Sequence, residues 1–185
     1  MTTIDATKNR PGFVVWFTGL PAAGKSTVAK ALVDALAAQR QRVHLLDSDT
    51  VRVRLLAQST YSEAERDWFY AQLVRQAQRL SRQGINVVIA ATASRQRYRD
   101  MGRGAIARFV EVYVDCPPAV CRARDPKSLW ARVDRGEIAN LPGADAPYEP
   151  PTEPELTLRT DRLSVAEAVA QVVDALQSRG YLSPA

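Results

Sequence analysis

The feature that most constrains this chain is a segment that fits the pattern G-x-x-x-x-G-K-[ST], where x is any residue. The segment runs from Gly19 to Ser26. The apolar run 13–17 before it is typical of a buried strand, and the sequence from Ser26 to Gln39 is typical of a helix. A strand, a glycine-rich turn and a helix in this order are the context in which the pattern forms a phosphate-binding loop. The segment therefore predicts an α/β fold with a nucleoside triphosphate site.

Each residue type in the segment has a physical role at its position. Glycines at 19 and 24 let the main chain curl, so that successive N–H groups point at phosphate oxygens near the positive end of the following helix. Lys25 is expected to reach the β- and γ-phosphates, and Ser26 to bind Mg²⁺. The predicted triphosphate-binding set is Gly19, Leu20, Pro21, Ala22, Ala23, Gly24, Lys25, Ser26 and Thr27.

Length, charge and hydropathy restrict the class of protein. The 185 residues suit one compact domain, 1–185, with its own core. No apolar run approaches the roughly 18 residues needed to cross a bilayer, and the segment 1–11 is polar. We therefore expect a flexible N-terminus and a cytoplasmic protein with no membrane partner. The net charge of +5, with arginine outnumbering lysine, fits polyanionic substrates and nucleic acid equally well.

Apolar strand patterns alternate with helical patterns along the chain. The strand candidates are 13–18, 43–46, 86–91, 110–114 and 156–160. The pairs Ser62 with Glu65 and Ser164 with Glu167 predict capping boxes that open two long helices. The alternation predicts a fold of the P-loop NTPase class, with a doubly wound, mainly parallel, five-stranded sheet.

The stretch 125–154 differs from the rest of the chain. Seven prolines and glycines lie between Gly136 and Pro154, and apolar periodicity is weak. A mobile segment that closes over the phosphates would exclude water, which competes with an acceptor for the transferred phosphoryl group. We therefore predict a lid segment here, the alternative being a passive surface loop.

Charged residues follow the second strand candidate, where a parallel sheet faces its ligand crevice. Asp49 is the candidate to orient an attacking hydroxyl or accept its proton, and Asp47 is the candidate to hold Mg²⁺ through water, close to Ser26. Arg52 and Arg66 are candidates to bind an anionic acceptor, because guanidinium groups match phosphate or sulfate oxygens. The alternatives are a helix cap for the aspartates and ordinary surface positions for the arginines.

In these motifs the chain resembles the adenylylsulfate kinase family, whose members phosphorylate the 3′-hydroxyl of adenosine 5′-phosphosulfate (APS) with ATP. The likeness spans roughly 13–161 and includes the loop 19–27. Its other specific parts are 46–52, 61–63 with Arg66, 112–115, and the lid pieces 124–127, 136–138, 142–143 and 147–150. The lid matches most strongly, in both order and spacing.

The resemblance implies roles for several residues. It makes ATP the donor and adds Lys127, a lid cation that meets the transferring phosphate, to Lys25 and Asp49 as catalytic residues. Tyr61 would form an aromatic wall for the adenine of the acceptor. The acceptor-binding set is Asp47, Asp49, Arg52, Tyr61, Arg66, Lys127 and Leu141. The resemblance also implies a homodimer, with small-molecule nucleotides as substrates and no nucleic acid.

Several positions depart from the family pattern, mainly on the acceptor side. The segment 69–72 reads Phe-Tyr-Ala-Gln where the family has Asn-Ile-Arg-Arg, and Leu141 stands where a lid phenylalanine would stack. After the third strand candidate, Arg95, Arg97 and Arg99 are expected to rebuild an anion site. The favoured function is phosphorylation of APS. The alternative is a related kinase acting on a different nucleotide-like or small hydroxylated acceptor.

Two other classes of protein fit less well. A nucleic-acid module would interleave aromatic and basic residues, which this chain does not do. A GTP-hydrolysing switch would carry an Asn-Lys-x-Asp segment, which does not occur. We expect His44 to pack or lie at the surface, and Cys116 and Cys121 to be reduced thiols without a chemical role.

Overall fold

The computed structural model describes residues 10–56 and 58–183, and the predicted flexible segment 1–11 lies almost wholly outside these ranges. The described strands are β1 (Val14–Thr18), β2 (Val43–Asp47), β3 (Asn86–Ala90), β4 (Phe109–Asp115) and β5 (Leu156–Arg159). The described helices are α1 (Lys25–Ala38), α2 (Ser48–Leu55), α3 (Glu63–Arg82), α4 (Gln96–Ala105), α5 (Pro118–Arg124), α6 (Leu129–Asp134) and α7 (Val165–Ser178).

The five strands form one parallel sheet in the order β2-β3-β1-β4-β5, which confirms the predicted fold class. Strand β1 is fully buried because helices cover both faces of the sheet. Val15 and Phe17 face the core with α1 and α7, while Val14 and Trp16 face the core with α3 and α4. The carboxyl ends of β1, β2 and β3 therefore meet at one edge, where a parallel sheet binds its ligands.

The two predicted capping boxes have different outcomes. At the start of α7 the box is complete, with Ser164 and Glu167 each bonded to the other's main-chain N–H. At the start of α3 only half of the box forms, because Glu65 directs its carboxylate to Thr60 and Arg52 instead. A glutamate predicted to cap a helix thus joins two segments near the ligand edge.

The segment 125–154 is seated directly on the glycine-rich loop. It contains the short helix α6, which the sequence pattern did not predict, and α6 carries Trp130, which is 1% exposed. The indole Nε1 of Trp130 donates a hydrogen bond to the Pro21 carbonyl at 3.3 Å. Gly143 has φ of 88°, and a Cβ there would lie 2.4 Å from the Leu20 side chain. Trp130 and Gly143 therefore fix this segment against the loop through close packing.

Replacing Trp130 by alanine is expected to lower the free energy of unfolding by about 3–5 kcal/mol, because it opens a large cavity beneath the loop. Urea unfolding of the purified protein measures this change. Trp68→Ala is the matched control, since Trp68 on α3 is 44% exposed and should cost about 1 kcal/mol or less. Equal losses for the two tryptophans would contradict the anchoring role of Trp130.

Within residues 10–56 and 58–183, no helix combines the length and the apolar character needed to cross a membrane.

Candidate active site

The glycine-rich loop holds its lysine at the centre of a curled main chain. Gly24 has φ of 100°, a left-handed conformation that a residue with a Cβ rarely adopts. The Nζ of Lys25 donates to the carbonyls of Gly19 at 2.9 Å and Leu20 at 2.7 Å. Burial lowers the pKa of Lys25 to about 8, and the nearby Asp49 carboxylate opposes that change. The loop therefore places a buried cation where the sequence predicts phosphate oxygens.

Ser26 and Asp47, the two residues predicted to hold a metal ion, lie together. The Ser26 hydroxyl donates to Oδ2 of Asp47 at 2.6 Å. The other carboxylate oxygen, Oδ1, accepts from the main-chain N–H groups of Asp49 at 3.0 Å and Thr50 at 3.4 Å. Asp47 is therefore both the cap of α2 and the partner of Ser26, so the two interpretations of this residue are compatible. A hydroxyl and a single carboxylate suit Mg²⁺, which takes few protein ligands beside phosphate.

Asp49 and Lys127 form an ion pair across the ligand edge. Asp49 lies in the first turn of α2, and the Nζ of Lys127, from the segment 125–154, donates to its Oδ2. This hydrogen bond raises the pKa of Lys127 above its ordinary value. Two candidate catalytic residues that stand far apart in the sequence are thus brought into contact beside the loop.

Arg52 is buried and contacts two aromatic rings and one carboxylate. Its guanidinium lies 3.9 Å from the Phe69 ring centroid and 4.8 Å from the Tyr61 ring centroid, while Nη1 is paired with Glu65. Phe69 stands where the family pattern has asparagine, so this departure supplies one wall of the guanidinium sandwich. One Nη1 bond to Glu65 leaves other N–H groups of the guanidinium, which has five in all, and Arg52 lies in the wall of the cavity described below.

Arg66 bridges the start of α3 to the segment 125–154. Its Nε donates to the Tyr61 carbonyl at 3.0 Å, and its Nη2 donates to the Asn140 carbonyl at 2.6 Å. Leu141, the next residue, is 8% exposed. These contacts hold Arg66, Tyr61 and Leu141 around one space.

That space is a cavity of about 660 Å³. Its wall includes most of the glycine-rich loop together with Asp49, Arg52, Tyr61, Arg66, Lys127 and Leu141. Cavities of this size accept nucleotides and drug-sized molecules. Most of the predicted triphosphate loop and all of the predicted acceptor residues except Asp47 therefore line the same volume.

The expectation that Arg95, Arg97 and Arg99 rebuild an anion site is wrong. Arg95 pairs with Glu149, Arg97 pairs with Glu63 and Asp67, and Arg99 pairs with Glu111. Arg99 is fully buried, and it also donates to main-chain carbonyls of Ala93 and Glu149. None of the three lines the cavity, and carboxylates from other elements neutralise all three.

Sequence reasoning missed several residues that support the loop. The hydroxyl of Thr160 donates to the Ala23 carbonyl at 2.7 Å, and the hydroxyls of Thr18 and Tyr148 lie 3.1 Å apart. Thr160 follows β5 directly, so its place at the carboxyl edge of the sheet is the signal that could have revealed it. Tyr148 carries no such local signal.

The remaining expectations concern residues outside the cavity. His44 is exposed on β2, and Cys116 and Cys121 are buried free thiols, as predicted. Burial raises the pKa of Cys121 to about 12, which keeps it a thiol at neutral pH.

A parallel sheet with a phosphate loop, a serine–aspartate pair beside it and a shared nucleotide-sized cavity defines a P-loop phosphotransferase. Residues 11–159 match the sequence model of the family described as adenylylsulphate kinase. The chain belongs to the adenylylsulfate kinase family, and the resemblance in its motifs is confirmed.

Individual relatives agree with this assignment. The adenylyl-sulfate kinase of Microcystis aeruginosa is 40% identical over 174 residues, which cover 94% of this chain and 96% of that protein. The structure of the Mycobacterium tuberculosis APS kinase with AMPPNP and APS has a TM-score of 0.87 at 35% identity, covering 91% of this chain and 99% of that one. A hexameric APS kinase from Thiobacillus denitrificans has a TM-score of 0.69 at 31% identity, covering 95% of this chain and 30% of that one.

Proposed function

We propose that this protein transfers the γ-phosphoryl group of ATP to the 3′-hydroxyl of APS, giving 3′-phosphoadenosine 5′-phosphosulfate and ADP. The observation that carries the proposal is the single cavity lined by both the phosphate loop and the residues Asp49, Arg66 and Lys127. Membership of the adenylylsulfate kinase family supports the choice of donor and acceptor. The alternative, a related kinase for a different acceptor, is not favoured by these relatives.

The donor side is assigned to the glycine-rich loop. The main-chain N–H groups of 19–27 bind the phosphates, and Lys25 places its charge on the β- and γ-phosphate oxygens. Ser26 and Asp47 would hold Mg²⁺, which, when bound, neutralises charge that develops on the phosphates. The fit rests on their oxygen pair, 2.6 Å apart beside the loop.

The transfer itself needs positioning more than strong base chemistry. The 3′-oxygen attacks the γ-phosphorus in line, a new O–P bond forms, and the bond from the γ-phosphorus to the β–γ bridging oxygen breaks. Asp49 orients the attacking hydroxyl and accepts its proton at a carboxylate oxygen. Lys127 exchanges part of its contact with Asp49 for an oxygen of the moving phosphoryl group, and the segment 125–154 acts as a lid that excludes water.

The acceptor side is assigned to the opposite wall of the cavity. Tyr61 and Leu141 enclose the adenine, and Arg66 with Lys127 attracts the phosphosulfate group. Arg52, packed between Tyr61 and Phe69 and paired with Glu65 through Nη1, adds positive charge to the same wall. The acceptor is thus bound between α3 and the lid, with its 3′-hydroxyl directed at the loop.

We also propose that the chain is one kinase domain that forms a homodimer in the cytoplasm. The proposal of a dimer comes from the family resemblance alone, and the Thiobacillus denitrificans relative is hexameric. Light scattering of the purified protein at several concentrations measures the assembly. A monomer or a hexamer across that range would contradict the dimer.

Turnover on a panel of acceptors tests the proposed function. The purified protein is incubated with ATP and Mg²⁺, and ADP release is followed with APS, AMP, adenosine and a simple sugar acid in turn. We expect ADP above the ATP-only blank with APS and much less with the others. The proposal fails if APS gives no more ADP than the blank. If another compound gives more ADP than the blank while APS does not, the result supports the alternative, a kinase for a different acceptor.

ATP affinity is expected to fall as the pH rises above about 8. Burial lowers the pKa of free Lys25 to about 8, and the bound phosphates favour its protonated form, so ATP binding above that pH takes up a proton. Linkage then predicts a loss of up to about tenfold in affinity per pH unit. Calorimetry from pH 7 to 9.5, in buffers of different ionisation enthalpy, measures both affinity and proton uptake. Lys25→Arg should remove the dependence, and a flat profile in the unsubstituted protein would contradict it.

A further inference from the structure

The acceptor wall contains a polar group that the proposed function leaves unused, the hydroxyl of Tyr70. Tyr70 lies on α3, is 4% exposed and lines the cavity. Its ring stacks on Tyr98 with centroids 4.3 Å apart and lies 6.3 Å from Trp16. Packing against these two aromatic rings therefore fixes the Tyr70 ring at the cavity wall.

This hydroxyl accepts one hydrogen bond but, in the part of the chain that the structure describes, has no partner to which it donates. Its oxygen accepts from the main-chain N–H of Ala93 at 2.9 Å, and Ala93 has φ of 44°. A phenol can also donate one proton. Within residues 10–56 and 58–183, no group accepts the proton of Tyr70. A buried donor is unfavourable without a partner, so the proton is suited to a ligand in the cavity.

The surroundings of the hydroxyl favour an anion as that partner. Burial, with a smaller contribution from the Asp49 carboxylate, raises the pKa of Tyr70 against the opposing effects of the Ala93 N–H and of Arg52 and Arg66. The hydroxyl therefore stays protonated at neutral pH and remains a donor. Two arginines near a neutral O–H make a site for oxygens that carry negative charge.

We propose that Tyr70 determines acceptor specificity by donating its O–H to a phosphosulfate oxygen of APS, while the Ala93 N–H holds the phenol oxygen in place. The inference rests on the proposed function and extends it to a residue that the family pattern does not supply, since isoleucine stands there in that pattern. Ala71 and Gln72 lack the two positive charges of the pattern. On the same stretch of α3, Tyr70 provides a hydrogen-bond donor for an anion.

Tyr70→Phe tests the proposal because it retains the ring and removes only the hydroxyl. The dissociation constants of APS and of adenosine are measured by calorimetry with ADP present, for both forms of the protein. Adenosine has the same base and 3′-hydroxyl as APS but no phosphosulfate. We expect APS to bind about 10- to 100-fold more weakly to the variant, on the scale of a hydrogen bond to a charged group, with little change for adenosine.

A purely structural role predicts a different pattern. If Tyr70 only holds Ala93, then Tyr70→Phe weakens both ligands by the same factor, their ratio is unchanged and the inference is overturned. Tyr98→Phe is the matched control, because it removes a hydroxyl from the same aromatic stack but Tyr98 does not line the cavity. In the Tyr98→Phe variant, the ratio of APS affinity to adenosine affinity should equal the ratio in the unsubstituted protein.

Two further results keep the inference separate from the proposed function. If the unsubstituted protein does not phosphorylate APS, the proposed function fails; if it does, but the affinity ratio is unchanged in Tyr70→Phe, only the role of Tyr70 fails. Should Tyr70→Phe not fold, 3-fluorotyrosine at position 70 provides a stronger O–H donor. It should raise the affinity for APS relative to adenosine, and an unchanged ratio would overturn the inference.

Discussion

Replacing Lys25 by alanine is expected to lower kcat by about 10²- to 10³-fold, the scale of losing one preorganised donor to a developing charge. The two loop carbonyls that accept from its Nζ hold this cation at the loop centre. Its charge is therefore in place before the phosphoryl group moves, and no side-chain reorganisation is needed. Steady-state turnover at saturating ATP and APS measures the loss.

The control for Lys25→Ala is Lys30→Ala on the same helix. Lys30 is exposed, so its removal changes the net charge by the same amount without touching the loop. We expect Lys30→Ala to keep nearly full turnover, and thermal unfolding should show that both variants are folded. A Lys25→Ala enzyme with near-normal kcat would show that the loop lysine only binds nucleotide.

Replacing Asp49 by asparagine is expected to lower kcat by about 10²- to 10⁴-fold, the range for loss of a general base, with little change in ATP affinity. The side chain of Asp49 contacts Lys127 of the segment 125–154, while its main-chain N–H donates to the Asp47 carboxylate. The substitution keeps the shape and removes the negative charge, so the acceptor hydroxyl loses its partner and the donor does not. Single-turnover rates with calorimetry of ATP binding separate the two effects.

The neighbouring Asp47→Asn variant is the comparison for Asp49→Asn. Asp47 bonds to Ser26 beside the loop, so its loss should weaken Mg²⁺–ATP binding and raise the Mg²⁺ concentration needed for activity. The two aspartates are thus expected to give opposite patterns of binding and turnover. Equal loss of ATP affinity in the Asp49 variant would instead assign Asp49 chiefly to the metal site.

Much of the fold follows from local sequence pattern. The five strands and α1 lie close to their predicted bounds, and α3 and α7 begin at the predicted caps. Buried parallel strands appear in a sequence as short apolar runs, and amphipathic helices repeat every 3.6 residues. Helix α6 was not predicted, because six residues are too few to show helical periodicity. Its burial depends on Trp130 packing against the loop, which local sequence does not reveal.

The candidate site likewise has parts that were predictable from the sequence and parts that were not. The glycine-rich loop was predictable because its pattern is made by consecutive residues, and Asp47 and Asp49 were predictable because they lie at and just after the carboxyl end of a strand. The partners of the arginines were not predictable. The ion pairs of Arg52 with Glu65 and of Arg99 with Glu111 form between separate elements that the fold brings together.

The sequence by itself therefore determined the α/β class, the phosphate loop and the family. Each depends on contacts between residues close along the chain or on a motif of fixed spacing. Only the tertiary structure decided which charges face the cavity and which are neutralised elsewhere. Ion pairs and buried hydrogen bonds depend on distances of a few ångströms between separate elements, and chain packing sets those distances. Tyr70 lines the cavity and its hydroxyl has no acceptor among residues 10–56 and 58–183, and it became a candidate for this reason alone.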